Sequence, residues 1–169
     1  MTDIASPLKR ISLTNPVHLL ATGLGSGLIY PAPGTWGSLA GLIIGILLMS
    51  IISLKIFIIF TAVCFVLGCY LCQKTADDMG VHDHGSIVWD EFVGIWLVQI
   101  GMAGFLAEHL ILGNALVFGL FRLFDIWKPF PIRYFDKKLE NGFGIMVDDV
   151  LAALYAIVVY HFIFSIVVL

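Results

Sequence analysis

The sequence is poor in charged residues, because Lys, Arg, Asp and Glu together make up only 12% of its 169 residues. Soluble domains carry about 25% charged residues, whereas 60% of this chain is hydrophobic and its mean hydropathy is +1.01. This balance excludes an ordinary soluble domain and a disordered chain, and we expect one integral membrane domain over residues 1–169. The net charge of −3 also disfavours a nucleic-acid partner.

Cysteine is also scarce, and its three residues, Cys64, Cys69 and Cys72, all lie in one apolar stretch. Cys69 and Cys72 have the spacing of a CxxC motif, but no second cysteine pair lies nearby to complete a metal site. We therefore interpret the three thiols as packed or lipid-facing side chains. Residues 1–15 lack an apolar core region, and we expect no cleaved signal peptide.

Long apolar runs dominate the rest of the chain. Residues 38–72 contain a single charge, Lys55, and are too long for one helix across a bilayer core about 30 Å thick. A helical hairpin that turns at residues 53–55 fits this run, and a second hairpin turns at residues 108–109. The sequence therefore predicts an all-α, multi-helical integral membrane protein with about five apolar helices. The predicted helices cover residues 38–53, 56–73, 91–106, 110–125 and 150–169.

The charges are distributed unevenly across this topology. The N-terminus and residues 74–90 and 126–149 fall on one side, and Lys55 is the only one of nine basic residues on the other. The positive-inside rule then places the basic side in the cytoplasm. Eleven of the twelve acidic residues lie on that side or at helix ends that open to it. Since acids do not set orientation, a metal or phosphate site would explain their clustering. The eight basic residues are Lys9, Arg10, Lys74, Arg122, Lys128, Arg133, Lys137 and Lys138.

A segment rich in glycine and proline, residues 15–38, precedes the first apolar helix. Its glycines can expose backbone N–H groups, and its end at Ser38 can open a helix N-terminus suited to an anion. Without a following βαβ unit, it does not form a dinucleotide-binding fingerprint. Ordinary turn chemistry is the alternative interpretation.

The second polar segment, residues 74–91, is dense in acids and histidines. Its His-x-His spacing does not match a standard zinc site, and its surplus of carboxylates favours a hard cation. Either Asp90 or Glu91 alone fits helix-dipole stabilisation. Two adjacent desolvated carboxylates, however, repel each other unless a cation neutralises them. The acids and histidines of this segment are Asp77, Asp78, His82, Asp83, His84, Asp90 and Glu91.

The third polar segment joins the last two apolar helices. Arg122 and Asp125 share a helix face there, and a structural salt bridge between them is one interpretation. Asp148 and Asp149 stand just ahead of the last apolar helix, as residues 90–91 stand ahead of the third. Carboxylate pairs that recur beside basic residues indicate a Mg²⁺ site with cationic groups for phosphate oxygens. The sequence thus predicts phosphoryl chemistry on a lipid at the membrane surface. The basic residues concerned are Arg122, Lys128 and Arg133.

These motifs resemble the phosphatidylglycerophosphatase A family of Gram-negative bacteria, in the family's order and over about residues 13–155. The resemblance implies an all-helical, Mg²⁺-dependent phosphatase of the bacterial inner membrane, with its active site facing the cytoplasm. Its implied reaction converts the lipid phosphatidylglycerophosphate to phosphatidylglycerol and phosphate. The matching stretches are residues 15–20, 23–27, 33–38, 79–91 (MGVHDHGSIVWDE), 121–129 (FRLFDIWKP) and 142–149 (GFGIMVDD).

Roles for the site residues follow from the motif positions together with the chemistry of the side chains. The Mg²⁺ ligands are assigned to Asp78, Glu91, Asp125, Asp148 and Asp149. The substrate-phosphate contacts are assigned to Arg122, Lys128 and Arg133. The catalytic groups are assigned to His82, Asp83, His84 and Asp90. The attacking group is either a metal-bound water or a carboxylate that forms a phospho-aspartyl intermediate.

Two other functions compete with a phosphatase at the level of sequence. A CDP-alcohol-type phosphotransferase would use the same metal and carboxylates, but its Asp-Gly…Ala-Arg…Asp pattern is missing. A small membrane transporter or channel would need ionisable groups in mid-bilayer, whereas the acids here crowd one end of the predicted helices. The sequence leaves the oligomeric state open.

Overall fold

The computed structural model describes residues 7–167, with the side chains of residues 136, 137, 166 and 167 left out. The side chain of Lys137 and residues 168–169 of the last predicted helix therefore lie outside the described part. The described elements are all helical, as predicted. Two short 3₁₀ turns cover Pro7–Arg10 and Ser26–Leu28. The α-helices are α1 Pro16–Ala21, α2 Pro33–Ile51, α3 Leu54–Met79, α4 Trp89–Gly101, α5 Ala103–Glu108, α6 Leu110–Trp127, α7 Ile132–Lys138 and α8 Gly142–Val167.

Both predicted hairpin turns are confirmed. Ser53 caps α3, and its side chain accepts a hydrogen bond from the backbone N–H of Ile56 at 3.4 Å. His109 separates α5 from α6. Gly80 ends α3 at a φ of 73°, a left-handed conformation that glycine adopts without a steric penalty.

The long helices alternate in direction, so that α2, α4 and α8 begin where α3 and α6 end. We call this the polar end of the bundle. There, Arg122 of α6 donates a hydrogen bond to the Ser38 hydroxyl of α2 at 3.3 Å. The backbone N–H of Gly142 donates to the side chain of Gln73 on α3 at 2.6 Å. The three polar segments of the sequence therefore meet in space.

Helix α4 lies at the centre of the bundle and packs against α2, α3, α6 and α8. Its apolar side chains are buried on nearly every face, and Trp96 donates from Nε1 to the Gly41 carbonyl at 2.8 Å. Gly94 permits the close approach of α6, because a Cβ there would overlap the ring of Phe121. Neighbouring helices thus surround α4 and shield its first turn from water.

The prediction of one continuous helix over residues 91–106 is wrong. The chain breaks at Met102, which leaves α4 with 13 residues and α5 with six. At 1.5 Å per residue, α4 is about 20 Å long, which is too short to cross a bilayer alone. Among the described residues, four helices are long and apolar enough to cross a membrane: Pro33–Ile51, Leu54–Met79, Leu110–Trp127 and Gly142–Ser165.

The outer faces of these four helices are apolar. Val66 of α3 is 70% exposed and Ile111 of α6 is 87% exposed. Water would penalise this much exposed hydrocarbon, whereas a bilayer core accommodates it. The chain is therefore a membrane protein with a polar end. Further exposed apolar residues are Ile43, Leu47, Ile59, Val63, Leu116, Val158 and Phe162.

Candidate active site

Three carboxylates converge inside the polar end. Asp90 and Glu91 lie in the first turn of α4, and Asp149 lies in α8 opposite them. One oxygen from each residue lies within 4.8 Å of the other two. Glu91 and Asp149 are only 8% and 3% exposed. We call these three residues the carboxylate cluster.

The carboxylate cluster has buried oxygens that lack hydrogen-bond partners among the described residues. They are Oδ1 of Asp90, Oε2 of Glu91 and Oδ2 of Asp149. Leaving a buried acceptor unpaired costs free energy, and neighbouring negative charges add to that cost. Burial first, and then the neighbouring carboxylates, raise the pKa of Asp90 and of Glu91 well above the usual range. A bound cation would offset the negative charge of these three carboxylates.

Arg122 lies at the edge of the carboxylate cluster. Its Nη1 atom is 3.8 Å from Oε1 of Glu91, and it also pairs with Asp125 one turn along α6. The salt bridge between Arg122 and Asp125 that the sequence suggested is therefore present. The Nε atom of Arg122 is buried and has no partner among the described residues. The guanidinium thus keeps a donor for a further ligand.

The N-terminus of α2 approaches the same place. A Cβ on Gly34 would overlap Oε1 of Glu91 and lie 3.3 Å from Nη1 of Arg122. Glycine therefore leaves room for the Glu91 carboxylate in its present position. Pro33 has no backbone N–H, and Thr35 and Trp36 donate to the Ala32 carbonyl. The first turn of α2 therefore contributes the backbone N–H of Gly34 and the positive end of a 19-residue helix.

Lys128 and Asp148 form a second charged contact beside the carboxylate cluster. Nζ of Lys128 lies 2.5 Å from Oδ2 of Asp148, which precedes Asp149 in α8. Lys128 caps α6 in a left-handed conformation with a φ of 44°, and this turns the chain towards α7. Asp148 is 6% exposed, and the ammonium group of Lys128 offsets its buried charge.

The other predicted site residues lie outside the carboxylate cluster. Asp78 pairs with Nε2 of His18 at 3.0 Å and with Nζ of Lys74 at 2.5 Å, which ties α1 to α3. Arg133 is exposed on α7.

The loop between α3 and α4 carries the remaining three predicted residues. Asp83 and His82 are exposed, and the Asp83 carboxylate is close enough to contribute to the raised pKa of Asp90. Nδ1 of His84 accepts a hydrogen bond from the backbone N–H of Ser86 at 3.2 Å. This loop therefore lies at the solvent side of the carboxylate cluster.

Sequence reasoning did not assign roles to His18 or Gly34. His18 holds Asp78 because α1 packs against α3, a tertiary contact that has no local sequence signal. Gly34 follows Pro33 at a helix start, which the sequence does signal. Its approach to Glu91, however, depends on how α2 and α4 pack.

Comparisons with known proteins identify the family of this chain. Residues 19–164 match the family model of phosphatidylglycerophosphatase A. Phosphatidylglycerophosphatase A of Haemophilus influenzae is 67% identical over 154 residues, covering 91% of this chain and 92% of the relative. Phosphatidylglycerophosphatase A of Escherichia coli is 43% identical over 161 residues, covering 95% and 90% of the two chains. No solved structure matches. The resemblance in the sequence is thereby confirmed: the chain belongs to the phosphatidylglycerophosphatase A family and is a phosphoric monoester hydrolase.

Proposed function

We propose that this protein is a Mg²⁺-dependent phosphatase that hydrolyses phosphatidylglycerophosphate to phosphatidylglycerol and phosphate. The names of the relatives support the substrate. The observation that carries the metal dependence is the carboxylate cluster, in which one oxygen from each residue lies within 4.8 Å of the other two. Each of the three residues also has a buried oxygen with no hydrogen-bond partner among the described residues. Family membership does not support the transporter or the CDP-alcohol phosphotransferase.

The carboxylate cluster fits a hard divalent cation. Its donors are carboxylate oxygens from Asp90, Glu91 and Asp149, the ligand type that Mg²⁺ prefers. A bound Mg²⁺ would supply Lewis-acid polarisation of a phosphoryl oxygen and a lowered pKa for a bound water. Asp125 and Asp148 would act from outside the cluster by holding Arg122 and Lys128 in place.

The phosphate monoester would lie between the carboxylate cluster and Arg122. The guanidinium donates N–H groups in a planar array that matches phosphate oxygens, and its Nε is buried and available. The backbone N–H of Gly34 at the start of α2 adds a donor on the same side. These groups would offset the negative charge that the phosphoryl group spreads over its oxygens in the transition state.

The loop between α3 and α4 would supply the groups for proton transfer. The leaving glycerol oxygen requires a proton, and Asp83, His82 and His84 all lie on this loop at the solvent side of the carboxylate cluster. His84 uses Nδ1 for the Ser86 contact, which leaves Nε2 for a substrate atom. Asp90 is the candidate for a carboxylate nucleophile, because it has an unpaired oxygen at the start of α4.

The polar end would face the cytoplasm of a bacterial inner membrane. The described basic residues lie at that end, apart from Lys55 in the first turn of α3 at the other end. This asymmetry satisfies the positive-inside rule. The acyl chains of the substrate would remain in the bilayer, so that only the headgroup needs to enter the site.

Phosphate release from phosphatidylglycerophosphate in detergent micelles, with and without Mg²⁺, tests the proposal. We expect metal-dependent turnover by the wild type and its loss in Asp149→Asn. Asp77→Asn is the matched control, because Asp77 is an exposed acid at the same end and its carboxylate accepts only from Gln73 in the described hydrogen bonds. Absence of turnover by folded wild type, or equal turnover with and without metal, would contradict the proposal.

A further inference from the structure

A surface cavity of about 550 Å³ lies between the end of α6 and the start of α7. Its lining combines three aromatic side chains with two basic ones. We call it the aromatic–basic pocket, and it is outside the carboxylate cluster. The lining residues are Trp127, Lys128, Pro129, Phe130, Arg133 and Tyr134.

The aromatic–basic pocket lies at the depth of lipid headgroups. It follows directly on α6, one of the four helices that can cross the membrane. Trp127 and Phe130 are 66% and 81% exposed, and the Tyr155 hydroxyl holds the loop by donating to the Phe130 carbonyl at 2.7 Å. Aromatic rings beside basic side chains at the end of a spanning helix are typical of the membrane interface.

The aromatic–basic pocket shares a wall with the candidate active site. Lys128 lines the pocket, and its Nζ contacts Asp148 at 2.5 Å. Asp149, the next residue, belongs to the carboxylate cluster. Lys128 therefore connects the aromatic–basic pocket to the turn of α8 that carries Asp149.

Arg133 gives the aromatic–basic pocket a positive charge that no described side chain neutralises. It is exposed on α7, and none of the described ion pairs includes it. A guanidinium beside apolar rings favours an anion that is attached to hydrocarbon, since the rings hold the hydrocarbon while the guanidinium binds the anion.

We propose that the aromatic–basic pocket binds the diester phosphate of the lipid substrate while the carboxylate cluster holds the monoester phosphate. This inference rests on the proposed function. The proposed substrate carries two phosphates joined by glycerol, so that two adjacent anion sites match it. Arg133 contacts the diester, and Trp127 and Phe130 contact the glycerol and first methylene groups next to it. The pocket thereby selects lipids that carry a diester phosphate besides the monoester.

The test compares wild type with Arg133→Gln and with Lys9→Gln. Lys9→Gln is the matched control, since it removes one exposed positive charge at the polar end but outside the pocket. The probes are the substrate, phosphatidylglycerol as an inhibitor that has only the diester, and inorganic phosphate as an inhibitor of the monoester site. Binding of brominated phosphatidylglycerol, followed by quenching of tryptophan fluorescence, adds a readout that needs no turnover.

In Arg133→Gln we expect KM and the phosphatidylglycerol Ki to rise about tenfold, the usual cost of one lost hydrogen bond between charged groups. The kcat and the phosphate Ki should not change, and Arg133→Lys should recover part of the loss. Equal increases in both Ki values, no increase in either, or the same effect in Lys9→Gln would overturn the inference. If wild type shows no turnover but Arg133→Gln weakens quenching, the proposed function fails and the diester site stands.

Discussion

Replacement of Gly34 by alanine probes the close contact between α2 and the carboxylate cluster. The new Cβ would overlap Oε1 of Glu91 and would also press on Arg122. Glu91 is surrounded by packed helices, and its carboxylate must move to avoid the new Cβ. The distance from the Cβ to Oε1 of Glu91 would be 2.4 Å, and ordinary van der Waals contact begins at 3.4 Å, so the carboxylate must move by about 1 Å. A misplacement of this size at a reacting centre can lower the rate about 100-fold.

The assay for Gly34→Ala is phosphate release as a function of Mg²⁺ concentration, together with thermal unfolding. We expect a fall in kcat of about 100-fold and weaker activation by metal. Gly119→Ala is the matched control, because Gly119 is also helical but a Cβ there meets nothing within 4 Å. It should keep wild-type turnover and gain up to about 1 kcal/mol of stability from helix propensity.

Wild-type turnover in Gly34→Ala would refute the reasoning, because it would mean that Glu91 and Arg122 are not held where the structure places them. A loss of turnover shared by Gly119→Ala would also refute it. The melting temperature of Gly34→Ala shows whether a loss of turnover comes from unfolding of the variant or from a displaced carboxylate.

Three further predictions address other parts of the site. Arg122→Lys should lower kcat/KM by about 10- to 100-fold in steady-state assays, because lysine cannot reproduce the planar contact with phosphate; unchanged kcat/KM would remove Arg122 from phosphate binding. Asp78→Asn should lower the melting temperature by breaking the contacts with His18 and Lys74, and a changed Mg²⁺ activation constant would instead place Asp78 among the metal ligands. The raised pKa values of Asp90 and Glu91 predict a pH effect on metal-free protein, because the folded state binds these protons more tightly than the unfolded state. Calorimetry should show that the stability of the metal-free protein falls as the pH rises above the ordinary pKa values of 3.8 for Asp and 4.5 for Glu and through the raised pKa values. Added Mg²⁺ should restore stability most at high pH. A stability that rises over this range would contradict the burial of these acids.

The hairpins of the fold could be predicted from the sequence because the signals are local. A long apolar run interrupted at residues 53–55 must turn there, and Ser53 supplies the cap. The break at Met102 could not be predicted in this way, since residues 91–106 are apolar on both sides of it. Gly101 and Gly104 flank the break, but a glycine is also tolerated inside a helix, so that the sequence does not decide between a break and a continuous helix.

The candidate site likewise could be predicted in part from the sequence. The sequence indicates that the pairs at residues 90–91 and 148–149 matter, because adjacent acids ahead of apolar helices are costly. It does not indicate that Asp149 joins the carboxylate cluster while Asp148 contacts Lys128. That difference arises because successive helical residues point about 100° apart, and only the packed helix decides which one faces inward.

Binding of a divalent cation to the carboxylate cluster is the central claim, and Mn²⁺ titration followed by electron paramagnetic resonance measures it without any substrate. We predict saturable Mn²⁺ binding to the wild type that Mg²⁺ displaces and that Asp149→Asn abolishes, with Asp77→Asn unchanged. Equal Mn²⁺ binding by wild type and Asp149→Asn would contradict the claim and would place the metal elsewhere than Asp90, Glu91 and Asp149.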